Sequence, residues 1–195
     1  MNKLMGMFEL QALGIPAIKW KEFKKNTKLD SDKLWTVRTT VIKGEDLNLP
    51  RLVGKEAEEA IAFGNKMLRD FSDNGMIIYY PYFIAEKSGT LEINKDRIVI
   101  EAVKNDLWNL VTYSDRDETI IIQDEKYIYD GEKNFLSAVE INEIMKYISE
   151  LRKNFRDELS EGQSLLLEWS FAYDSDKNNE KLGDKFLIFY EIRTI

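Results

Sequence analysis

Two glutamates sit in apolar company. Glu168 stands beside Trp169 and Glu191 close to Phe189, each inside a run that is otherwise hydrophobic. A carboxylate buried there without a partner costs several kcal/mol, so each needs a metal ion or a basic group. Arg193 follows Glu191 by two residues, which puts both side chains on one face of a strand. The plainer alternative is a cross-strand ion pair of Glu168 with Arg193 on a solvated face, worth under about 1 kcal/mol. Lys3 and Arg38 are two further cations. Read alone, each is a solvated surface residue.

The elements that must position these groups follow from periodicity. Lys3–Gln11 reads as a short helix stopped by Gly14 and Pro16. Residues 26–33 read as a loop, and Leu34–Ile42, rich in Val, Thr and Trp, as a strand ending at Gly44-Glu45-Asp46. Lys55–Phe71 places Ala57, Ala60, Ile61, Met67, Leu68 and Phe71 on one helical face, with Asn74-Gly75 as its stop. Strands are expected at Met76–Ile84, Thr90–Ile93, Arg97–Val103, Trp108–Tyr113, Thr119–Gln123 and Lys126–Tyr129, in an antiparallel meander. Ser137 with Glu140 forms a capping box opening a helix whose apolar stripe, from Ile141 through Ile148 and Leu151, runs to Leu159. Ser164–Tyr173 and Lys185–Ile192 then read as a terminal hairpin. Side-chain alternation predicts that Glu168 and Glu191 project from one sheet face, towards Arg38 and Lys3. The fold class is therefore α+β: an antiparallel sheet, two main amphipathic helices and a C-terminal β-hairpin.

Composition removes whole classes of chemistry. The 195 residues, 44% of them hydrophobic, suffice for one domain with a real core. A formal charge of −7 disfavours nucleic acid and anionic lipid as partners. There is no cysteine, hence no disulfide, thiolate nucleophile or cysteine-ligated metal. There is no histidine, hence no imidazole acid–base chemistry and no phosphohistidine. No apolar run approaches membrane-span length, and a cytoplasmic location is the expectation. The tryptophans and the run Tyr79-Tyr80-Pro81-Tyr82 are expected to pack in the core rather than stack on bases.

Three collinear stretches carry a resemblance. Lys3 followed by Leu13-Gly14-Ile15-Pro16, then Val37-Arg38-Thr39-Thr40 with Gly44-Glu45-Asp46, and finally Leu166-Leu167-Glu168-Trp169 with Tyr190-Glu191-Ile192-Arg193 resemble, in order, the motifs of the ATP-grasp nucleotide-binding domain of the pyruvate phosphate dikinase and phosphoenolpyruvate synthase family. Lys87-Ser88-Gly89-Thr90-Leu91 and Ile100-Glu101-Ala102 are weaker matches between them. The resemblance implies a compressed ATP-grasp-like domain over 1–195, with a reduced N-terminal lobe at 1–50 and a sheet and helix lobe at 51–195. It implies that Lys3, Arg38, Glu101 and Arg193 bind nucleotide, that Arg38 and Arg193 are catalytic, and that Glu168 and Glu191 hold Mg2+. ATP with Mg2+ is then the implied cofactor, and phosphoryl transfer to an unidentified acceptor the implied activity. Departures support a second expectation: Asn2 and Leu4 flank Lys3 where the family has glycines, Leu166 stands for an aspartate, Glu191 for a glutamine, and Asn105-Asp106-Leu107-Trp108 for Gly-Leu-Gly-Glu. On that reading the chain is an inactive ATP-grasp-like module acting through a protein partner.

Overall fold

The computed structural model describes residues 1–42, 49–71, 75–107, 110 and 116–195. The chain builds two antiparallel sheets. The first joins β1 (Lys21–Glu22), β2 (Trp35–Val41), β3 (Arg51–Lys55) and β4 (Gly75–Pro81) in the order β1-β4-β2-β3. The second joins β5 (Phe83–Ile93), β6 (Arg97–Lys104), β7 (Glu118–Gln123), β8 (Lys126–Gly131), β9 (Leu165–Ser175) and β10 (Lys181–Thr194) in the order β10-β9-β5-β6-β7-β8. The expected meander is the run β5 to β8, and the expected terminal hairpin is β9 with β10. The segment expected as one strand, Met76–Ile84, instead divides at Tyr82, where the chain leaves one sheet for the other. Tyr82 is held at that crossing by its N–H on the Leu34 carbonyl and its carbonyl on the Ser175 hydroxyl. Of Trp108–Tyr113, only Leu110 lies among the described residues, and it is buried with Leu107 and Val103. Gly44-Glu45-Asp46 and Asn74 lie outside them.

Each sheet buries one face under helices. Val37 and Ile77 of the small sheet pack with Ala57, Ala60 and Met67 of α2 (Ala57–Phe71). In the large sheet Leu91, Ile100, Ile120, Leu167 and Trp169 form one layer with Ile141, Ile144, Ile148, Leu151, Phe155 and Leu159. Burying side chains of that size stabilises by about 1.5–3 kcal/mol each. The single helix expected after Ser137 is three: α3 (Ala138–Met145), α4 (Ile148–Asn154) and α5 (Arg156–Ser160). The stripe survives these breaks because Lys146 and Tyr147 stay right-handed while the Tyr147 ring turns edge-on to Phe189. Trp20, Trp35, Trp169 and Tyr80 are core residues.

The opposite face of the large sheet carries a row of polar side chains. Register sets Glu101 of β6 opposite Thr90 of β5, Thr90 opposite Glu168 of β9, and Glu168 opposite Glu191 of β10. These four side chains therefore form one row across four strands. Helix α1 (Lys3–Ala12) packs on β10 at the end of that row.

Candidate functional site

The polar row ends in a charge cluster built from three elements of the large sheet's edge and one strand of the small sheet. Lys3 Nζ lies 3.6 Å and Arg38 Nη2 3.8 Å from Glu191 Oε2. Arg193 Nη2 reaches Glu191 Oε1 at 3.2 Å and Glu168 Oε1 at 3.5 Å. Glu191 is almost completely buried, its side chain 2% exposed, and Glu168 is 14% exposed. The five residues read from sequence, Lys3, Arg38, Glu168, Glu191 and Arg193, thus converge, with both glutamates on one face. Glu101 stands in the same row two strands away, where it accepts from the Thr90 hydroxyl at 3.0 Å and pairs with Arg116 at 2.9 Å.

Local sequence explains why these groups meet. Glu191 faces Glu168 because β10 carries a register shift between Phe189 and Glu191, which turns Tyr190 aside and keeps Phe189 in the core. Lys3 is brought to the edge by α1, which approaches β10 so closely that a Cβ on Gly6 would collide with the Ile192 carbonyl oxygen. Asn2, read from sequence as an unfavourable neighbour of Lys3, is the N-cap of α1: its side chain accepts from the Met5 N–H and donates to the Ile42 carbonyl at 2.9 Å. One amide thus ends the helix and ties it to the strand that carries Arg38. Arg38 hydrogen-bonds Tyr80 on its own sheet and points across to the glutamates. Tyr80 was read from sequence as a core residue and Tyr190 and Ser170 were given no role; Tyr80 is buried, Tyr190 is half-buried, and Tyr190 bonds Ser170 on the same face as Glu168. Only the even spacing of Glu168 and Ser170 along β9 would have shown the latter.

The electrostatics of the cluster follow from burial and charge. Burial pushes the Glu168 carboxyl up to about 7, and Glu191 beside it adds to the shift against the pull of Arg38, Lys3 and Arg193. Burial works against the charged form of Arg38, yet Tyr80, Glu191 and Glu168 together hold its pKa above the ordinary value. Burial, then Glu168, puts the Tyr190 phenol well above the usual range. Among the described residues of the cluster two carboxylates face three cations, with the charge of Asp106 acting on both neighbouring phenols, and protonation of Glu168 shifts the balance towards positive charge. Glu191 Oε1 and Arg193 Nε are buried without a hydrogen bond among the described residues. Such atoms cost stability unless something else completes them.

Among the described residues no group of three or more histidines, cysteines, aspartates or glutamates is set to hold a metal. Magnesium seldom asks for one: it takes one or two protein carboxylates and fills its shell with water and phosphate oxygens. Glu168 and Glu191 fit that donor set. Surface cavities of about 450 and 320 Å3 lie elsewhere, around Asn94–Arg97 with Gln163 and around Ile122 with Met145.

No family model matches the chain and no curated protein matches it. Solved structures do. D-alanine–D-alanine ligase from Bacillus anthracis is similar over the whole of this chain and 56% of its own, with a TM-score of 0.51 and 12% identity. Macrocyclase MdnC from Microcystis aeruginosa, bound with precursor peptide MdnA, gives 0.47 at 13% identity over 97% of this chain and 50% of its own. N5-carboxyaminoimidazole synthetase from Staphylococcus aureus, complexed with ADP, gives 0.44 at 14% identity over 98% and 43%. The chain thus spans about half the length of these structures. The fold is α+β with antiparallel sheets and is ATP-grasp-like.

Proposed function

We propose that the chain binds a magnesium–nucleotide complex, ATP in the first place, on the face carrying Glu168 and Glu191. The observation that carries this reading is the meeting of two register-paired carboxylates with Lys3, Arg38 and Arg193 at a buried sheet edge. Three cations about the two carboxylates disfavour a bare divalent cation and favour a metal–polyphosphate complex of net negative charge. Lys3, Arg38 and Arg193 would hold phosphate oxygens, with Glu168 and Glu191 as metal ligands. Bound there, magnesium would neutralise phosphate charge. The ATP-grasp fold supports a nucleotide ligand. Kinship with the dikinase and synthase domain, and phosphoryl transfer with Arg38 and Arg193 in catalytic roles, extend the proposal. Glu101, held by Arg116 and Thr90, would serve the nucleotide from the far end of the row.

Calorimetric titration with ATP and Mg2+ tests the reading. Heat is expected with both present, little with Mg2+ alone, and at least a tenfold loss of affinity in Glu168→Gln and Arg193→Met, each titrated where circular dichroism shows it fully folded. Absence of heat at millimolar ligand, or unaltered binding by both variants, would sink it. A specific observation favours a second reading, since the three cations already partner Glu191. On that reading the cluster is a closed ion network and the chain is a binding module for another protein. Co-purification of a stable partner indifferent to nucleotide would distinguish it.

A further inference from the structure

The edge of the large sheet furthest from the charge cluster is β8, and all six of its residues are exposed. Edge strands present a row of free N–H and C=O groups that can template another strand, and proteins ordinarily blunt them. This one is not blunted by proline or a bulge: its pairing with β7 is regular from Gln123↔Lys126 to Glu118↔Gly131. It also carries three large apolar side chains, Tyr127, Ile128 and Tyr129, at 46%, 59% and 39% exposure. Tyr127 and Tyr129 stack on one face with ring centroids 6.4 Å apart.

The sequence of this edge, Lys126-Tyr127-Ile128-Tyr129-Asp130, is complementary to itself when reversed. Two antiparallel copies centred on Ile128 would set Lys126 opposite Asp130 twice, Tyr127 opposite Tyr129 twice, and Ile128 opposite Ile128. Cross-strand opposite charges and aromatic pairs stabilise a sheet, and like charges directly opposite one another oppose it. The centred register is the one that makes every pair favourable. A shift by two residues either way breaks the charge match. Neither Lys126 nor Asp130 has an ion-pair partner among the described residues, so both charges are available. The hairpin turn, with Asp124 and Glu125 both at positive φ, is the two-residue type that keeps β8 aligned with β7.

We propose that β8 is a dimerisation edge, at which two copies of this chain pair antiparallel about a twofold axis through Ile128 and join their large sheets into one. The contact is isologous, as closed dimers require. It uses the sheet edge opposite β10, so the contact does not involve the strands that hold Glu168 and Glu191.

Sedimentation equilibrium of the full chain tests this with charge reversals. The unaltered chain is expected to dimerise, whereas Lys126→Asp and Asp130→Lys each place like charges opposite one another twice and should weaken association about tenfold or more. Combining both reversals in one chain restores complementarity, and so does mixing the two singly altered chains, which should form a heterodimer. Far-ultraviolet circular dichroism confirms that each variant is folded. A monomeric unaltered chain at about 100 μM, singly reversed chains that associate as well as the original, or failure of both rescues would overturn the proposal. Nucleotide binding plays no part in these readouts.

Discussion

At Glu168, burial and the neighbouring Glu191 oppose ionisation, and three cations favour it. With the carboxyl pushed up to about 7 from an ordinary 4.5, the folded chain between those pH values holds a proton that the unfolded chain has released. Stability is then full below about pH 4.5 on this account and declines as pH rises through 7. The loss is on the order of 3 kcal/mol, since each tenfold change in proton affinity is worth about 1.4 kcal/mol. Thermal melts from about pH 5 to 8 should show the melting temperature falling in the unaltered chain, with a much flatter profile in Glu168→Gln. ATP with Mg2+ should reverse the fall, because a ligand that binds only the folded state stabilises it. A flat profile in the unaltered chain would remove the burial argument. Glu168, Glu191 and Arg193 were legible from type and spacing, since an acidic residue in an apolar strand needs a partner, whereas Lys3 and Arg38 were reached only through the family resemblance. Tyr80 and Tyr190 were not, because a tyrosine among aromatics gives no sign that its hydroxyl faces a charge.

Elements show the same division between local and long-range information. The capping box at Ser137 was plain because its signal lies within four residues. What that signal hid is that Glu140, apart from closing the box, is buried and takes Lys87 at 2.7 Å and Lys185 at 2.9 Å from two strands. Burial would raise its pKa, but the hydrogen bonds from Lys87, Lys185 and Ser137 hold it at about 2. The sign is opposite to that of Glu168: this contribution is present above about pH 4.5 and is lost as pH falls towards 2. Glu140→Gln should cost about 2–3 kcal/mol at neutral pH, and urea titrations should show the gap to the unaltered chain closing in acid. These contacts also explain why the middle of β5 did not read as strand. Lys87 and Ser88 look like a polar turn, but Lys87 is satisfied by Glu140 and the Phe135 carbonyl, and Ser88 by Ser170 and the Asn105 carbonyl. Gly6 is a second case. A glycine inside a helix ordinarily weakens it, yet here only glycine fits beneath β10. Gly6→Ala should displace α1 and with it Lys3, lowering stability by about 1–3 kcal/mol and weakening nucleotide binding more than Lys3→Met does. Equal affinities in the two variants would mean that Lys3 alone, not the seat of the helix, matters.

The two sheets meet in an apolar cluster, where Ile78 and Tyr80 of β4 pack with Met7, Ile18 and Trp20 and with Ile188 and Tyr190 of β10, and again at the charge cluster. The strand periodicities revealed β2, β4 and the strands of the large sheet, but a single sheet was expected, and β1, β3 and the crossing at Tyr82 were missed, since two short exposed strands carry little alternation and Met76–Ile84 reads as one continuous run. Across that division Arg38 of β2 reaches Glu191 of β10, Asn2 donates to the Ile42 carbonyl just beyond β2, and Ala17 bridges Phe189. Arg38 also hydrogen-bonds Tyr80 of β4, so its guanidinium bonds its own sheet while its charge engages the other. Replacing it by methionine keeps the stem and removes both, leaving Glu191 with two cations. Amide hydrogen exchange should then quicken in β2 and β4 while β5, β6 and β9 keep their protection, because local opening follows the elements that lose contacts. The expected loss in β2 and β4 is about 1–3 kcal/mol of opening free energy, the cost of an unpaired buried polar group. Addition of ATP with Mg2+ to the unaltered chain should slow exchange in β2 as well as in β9 and β10, since the proposed ligand touches both sheets. Faster exchange spread evenly over both sheets in Arg38→Met would show that they open as one unit, and that Arg38 does not couple them.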